Sequence, residues 1–125
     1  MKLILPLATI FLLTMSADKC NEKKSGDGTY KAKLEVKGIC MNYTIRLLEG
    51  DLDTSMVVAS WTDESTGKSY NNVFALGSPC TFPSSIKEGD EFFFKIDTTT
   101  KQECAVCMAF YPVPPKKLSI KVLEK

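Results

Sequence analysis

Apolar and polar residues alternate along much of the chain, and the alternation predicts strands. Between Thr29 and Gly38, Tyr30, Ala32, Leu34 and Val36 fall on one face and Lys31, Lys33, Glu35 and Lys37 on the other. This is the two-residue period of a half-buried strand. A turn at 38–42 carries Cys40, after which Tyr43, Ile45 and Leu47 form the inward face of a second strand returning antiparallel to the first. Met56–Trp61 (MVVASW) reads as a short apolar strand, Thr62–Ser69 as a turn by composition, and Tyr70–Leu76 as the returning strand. The clearest signal is Lys87-Glu88-Gly89-Asp90, a turn that opens into a run of phenylalanines. Gly89 can take a positive φ and Asp90 can hydrogen-bond nearby backbone. Phe92, Phe94 and Ile96 then share one face, with Phe93 and Lys95 on the other. Cys104–Tyr111 (CAVCMAFY) reads as a buried strand, broken by Pro112-Val113-Pro114-Pro115. Lys117–Glu124 alternates again, with Leu118, Ile120 and Val122 inward. Beyond residue 17 no segment carries a 3.6-residue apolar period. About seven short strands predict an all-β domain over 29–125, a small five- to seven-stranded barrel or a sandwich.

The N-terminus adds a destination. Lys2, the apolar run Leu3–Met15 and Ser16-Ala17 have the order of a secretory signal peptide, expected to span 1–17. The charged, Gly-containing stretch 18–28 reads as a flexible linker. Within it Cys20 is a candidate for lipidation or for an extra bridge, although Lys19 rather than a small residue precedes it. The expected location is secreted, periplasmic or cell-surface. The chain has 125 residues, with 16 basic against 15 acidic side chains. That balance gives no reason to expect nucleic acid or an anionic membrane surface as partner. No further apolar run is long enough to cross a membrane as a helix.

Candidate chemistry is sparse. The chain has no histidine, which removes His-based triads and His metal sites. Five cysteines in a short exported chain point to disulfides. Cys40, Cys80, Cys104 and Cys107 are the even set within the domain, and they allow three connectivities. A domain of this size buries only about two-thirds of its unfolded surface, so staples matter. Cys104-Ala105-Val106-Cys107 has redox CxxC spacing, but a β-branched, apolar setting rather than a helix N-terminus. A four-cysteine zinc site would ordinarily show two such knuckles. No enzyme activity, metal or cofactor is expected. Trp61, Tyr70, Phe93 and Tyr111, which flank turns or lie opposite the core face, are the candidate contacts for a protein or carbohydrate ligand.

The order of a long first strand (YKAKLEVK), a second with few charges (YTIRLL) and then VFALGSPCTFPSSIKEGDEFFFKI resembles the oligonucleotide/oligosaccharide-binding (OB) barrel. More narrowly it resembles the netrin-like modules, which include the tissue inhibitors of metalloproteinases. The residues that carry the resemblance are Val73-Phe74, Cys80, Gly89 and Phe92-Phe93-Phe94, with Cys20 and Cys104 at either side. In the barrel reading Cys40 closes the first strand and Cys80 follows the strand returning to the same end, with Cys104 and Cys107 at the other end. The expected bridges are then Cys40–Cys80 and Cys104–Cys107. The functional expectation is a binding or interaction module. Its alternatives are an inhibitor of a secreted protease, implied by the resemblance, and a CxxC thiol-redox protein.

Overall fold

The computed structural model describes residues 28–99 and 104–123. The expected signal peptide, the linker up to residue 27 and Cys20 lie outside the described residues. The described residues form seven strands: β1 (Tyr30–Lys37), β2 (Tyr43–Glu49), β3 (Val58–Thr62), β4 (Ser69–Leu76), β5 (Glu91–Ile96), β6 (Lys117–Leu118) and β7 (Ile120–Leu123). Short 3-10 turns at Ile39–Met41 and Pro79–Thr81 follow β1 and β4. The domain is all-β and carries two disulfides.

The strands pair in the order β3-β4-β2-β1-β5-β7, all antiparallel, and β6 pairs with β4 in parallel. Only Ser119 separates β6 from β7, so one nearly continuous segment hydrogen-bonds β4 at its start and β5 along its length. The Gly89 turn sets the start of β5. Gly89 has φ +94°, Asp90 N–H donates to Lys87 O at 2.9 Å, and Lys87 N–H donates to the Asp90 carboxylate at 2.8 Å. Leu34 N–H donates to Asp90 O, and Gly89 N–H to Leu34 O, which locks that turn to β1.

The core lies on the face that the two-residue period marks. Ala32, Leu34, Ile45, Phe74, Phe92, Phe94, Leu118 and Ile120 are buried in one cluster, with Leu52, Val57 and Phe82 joining from loops. Phe94 is fully buried; Phe93, its neighbour, is 43% exposed. Aromatic rings run through this cluster in sequence: Tyr43 against Phe82, Phe82 against Phe92, Phe92 beside Phe94, and Phe94 beside Phe74 and Tyr30. Val36, Val73 and Ala75 are also buried but stand outside that cluster.

Two strand assignments differ from expectation. Cys104–Tyr111 is not a strand, and residues 104–110 are exposed rather than buried. The pairing edges of β2 are occupied by β1 and β4, and those of β5 by β1 and β7. β2 and β5 therefore offer no free edge to the uncharged run, and Pro112, Pro114 and Pro115 beyond it lack the N–H groups that would build a ladder. The expected strand Lys117–Glu124 is, over its described residues 117–123, two strands with different partners rather than one.

Truncating Phe94 to Ala should cost about 3–5 kcal/mol, because a buried ring that touches three others leaves a large cavity. Phe93→Ala should cost at most about 1 kcal/mol, as expected for a side chain nearly half in solvent. Urea unfolding of the two variants checks this; equal losses would mean that both faces of β5 are core.

Candidate functional site

The four domain cysteines are bonded as Cys40–Cys107 and Cys80–Cys104, with Cα–Cα distances of 5.1 and 5.4 Å. This corrects the expected Cys40–Cys80 and Cys104–Cys107 pairing. That expectation placed the end of β5 far from the end of β4. In the fold the β6–β7 segment joins them. Gly77 N–H donates to Leu118 O, the Ser78 hydroxyl donates to Ile120 O, and Asp97 N–H donates to Ser119 O, each at 2.9 Å. The chain leaving β5 thus emerges beside the Pro79–Thr81 turn, where Cys80 takes Cys104. Three residues on, Cys107 meets Cys40 on the Ile39–Met41 turn. Each cysteine of the CxxC is bound to a remote partner. Bridges closing sequence separations of 24 and 67 residues are worth about 3–4 kcal/mol each by loop entropy.

Between these bridges and the prolines the chain lies on the surface with its apolar side chains outward. Met108 is 92% exposed, Phe110 84% and Val106 41%, and Ile39 on the facing turn is 58% exposed. A cleft of about 390 Å³ lies beneath them, lined by Met41, Leu76, Pro79, Val106, Phe110 and Lys117 among others. Lys117 is the single charged residue of that lining among the described residues. Asn42 ties the loop down: its side-chain amide donates to Ile39 O and to Ala109 O, both at 2.9 Å.

Beyond Ala109 the chain becomes a strap. Tyr111 packs so closely on Gly38 that a Cβ there would sit 2.8 Å from its ring. The Tyr111 hydroxyl donates to Asp63 at 3.4 Å and accepts from Ser65 at 3.2 Å in the β3–β4 turn. Pro114 is fully buried. Lys116 O accepts from Ala75 N–H, and the Lys116 ammonium donates to Thr54 O and Val57 O. Tyr111 therefore serves as an anchor of this strap.

The other aromatic candidates do not gather at this site. Trp61 and Tyr70 are cross-strand partners on the β3–β4 hairpin, half-buried, stacked with centroids 6.1 Å apart. Burial and then the Glu35 and Asp63 carboxylates raise the pKa of Tyr70, which stays a neutral phenol at physiological pH. Phe93 lies under the Lys31 ammonium at 5.7 Å, and Lys31 also pairs with Glu91 at 3.2 Å, which raises its pKa. A second cleft of about 280 Å³ lies beside Phe93 and is lined by Ile86, Phe92 and Val122. Val106, Met108 and Phe110 escaped the sequence reading because an uncharged run followed by prolines has the composition of a buried strand. The signal that could have found them is the pair of cysteines inside that run: bonded to turns, they hold it at the surface.

Non-reducing peptide mapping should recover the pairs Cys40–Cys107 and Cys80–Cys104. A peptide carrying a Cys104–Cys107 bridge would show that the loop is held differently and would remove the bracing of Met108.

The chain matches no family model, and neither the curated proteins nor the solved structures offer a significant match to it.

Proposed function

We propose that this is an exported interaction module that docks a protein partner through the cystine-bound loop at 104–110 and the turn at 39–42. The observation that carries the reading is the exposure of Met108 and Phe110 on a segment held by both disulfides. Large apolar side chains held in water serve no folding purpose, and clusters of them mark protein contacts. Bracing lowers the entropy lost on binding. The exposed side chains of Ile39, Val106, Met108 and Phe110 are apolar, which favours a protein over a sugar, whose hydroxyls call for polar partners. Two cystines fit an oxidising compartment. Among the described residues no helix is long and apolar enough to cross a membrane.

We read the architecture as an OB-like barrel. What supports this is the ladder: β1, β2, β4, the β6–β7 segment and β5 each pair with a neighbour on both sides. In that fold the loops after the first strand and before the last one carry ligands. Here these are the 39–42 turn and the cystine-bound loop, joined by Cys40–Cys107.

The double variant Met108→Ser/Phe110→Ser should keep its stability within about 0.5 kcal/mol, as surface changes do. Proteins retained from culture medium by the immobilised wild type should be lost by the variant. The same retained set for both would end this assignment of the docking surface.

The mature N-terminus should lie at or near Asp18. Intact mass of the purified protein checks it: a retained Met1 would refute export, and a diacyl or triacyl Cys20 would make the protein a surface lipoprotein.

A further inference from the structure

We propose that Cys107-Met108-Ala109 is a substrate-like reactive segment that occupies the catalytic groove of a serine endopeptidase with an apolar primary pocket, Met108 being the side chain that enters the pocket. This rests on the cystine-bound loop being the docking surface, and it names the partner.

The geometry on either side of Met108 carries the inference. Cys107 is fixed to Cys40, and Ala109 O accepts from the Asn42 amide at 2.9 Å. Both anchors belong to the same short connection between β1 and β2, two residues apart. Asn42 is itself held, since its amide also donates to Ile39 O. The residue between the two clamps, Met108, is 92% exposed. A fold that braces a methionine on both flanks and then keeps it out of the core is presenting it. Residues 104–110 adopt no regular structure. A segment whose backbone is not committed to a strand or helix can pair with a groove by strand addition while alternate side chains enter pockets. Val106 and Phe110, two residues to either side of Met108, are the next most exposed large apolar residues of the loop. An unbranched methionine suits a deep apolar slot, the feature that sets primary specificity in this class of enzyme.

The same clamps distinguish an inhibitor from a substrate. The enzyme's serine oxygen would attack the Met108 carbonyl carbon while its proton passes to the enzyme's histidine. That proton moves to the Ala109 nitrogen as the Met108–Ala109 bond breaks, leaving an ester and a free amine. Neither half can leave. Cys107–Cys40 holds the acyl side, and Asn42 with the Tyr111 anchor on Gly38, Asp63 and Ser65 holds the amine side. A tethered amine at high effective concentration attacks the ester in place of water and restores the peptide bond.

The test uses the intact disulfide-bonded protein against chymotrypsin, pancreatic elastase and trypsin as probes. Wild type should inhibit chymotrypsin or elastase and leave trypsin active. Met108→Gly should weaken that inhibition at least about 30-fold, the effect of a central anchor. Met108→Lys should transfer inhibition to trypsin. Both variants should unfold at the wild-type midpoint, because the side chain is in solvent. Long incubation should yield a chain cut between Met108 and Ala109, heavier by one water, disulfide-linked and still inhibitory. Absence of inhibition by wild type, rapid turnover at this bond, or inhibition indifferent to residue 108 would overturn the proposal. So would binding of wild type, through Met108, to phosphatidylcholine or phosphatidylglycerol vesicles without inhibition. If no probe is inhibited but Met108→Ser/Phe110→Ser still loses its retained proteins, the docking surface stands and the inhibitor assignment falls.

Discussion

Phe94 is the side chain on which the rest of the domain depends. It is fully buried and sits beside Tyr30 of β1, Phe74 of β4 and Phe92 of its own strand. Aromatic pairs of this kind add about 0.5–1.5 kcal/mol each to the burial of their area. They also fix geometry, because three rings from three strands must interdigitate around one position. The series continues through Phe92 to Phe82 and Tyr43, so the loop after β4 and the start of β2 are drawn onto the same core. Packing at one end of β5 therefore determines where the Pro79–Thr81 turn lies, and with it Cys80.

That placement explains why a small domain can hold an apolar loop in water. The core satisfies one face of the sheet, while the strap through Tyr111, Pro114 and Lys116 runs from Gly38 to the β3–β4 turn and β4. The bridges then hold the intervening residues against the Ile39–Met41 and Pro79–Thr81 turns. Exposed Met108 and Phe110 bring no burial energy, so the loop is held by covalent bonds and by Asn42 instead. Separating what folds the domain from what it displays allows the displayed residues to change without loss of the fold. This is the arrangement expected of a surface whose role is contact with another molecule.

The amino-acid sequence by itself determined the strands whose side chains alternate. Tyr30 to Val36, Tyr43 to Leu47 and Phe92 to Ile96 point inward as their two-residue period requires, because a register slip of one would place every apolar group in water. It also determined the Gly89 turn, where positive φ favours glycine, and that the domain would need cystines. What only the tertiary structure decided is what depends on neighbours distant in the chain. The parallel pairing of β6 with β4 brought the ends of β4 and β5 together, and so chose Cys40–Cys107 and Cys80–Cys104 over the other connectivities. CAVCMAFY lies at the surface with its two cysteines bonded to the turns after β1 and β4, which are distant in the chain. Hydrophobicity is a property of a residue, but exposure is a property of the space left after the other strands have paired. For that reason the exposure of Met108 and Phe110 became visible only in the folded chain.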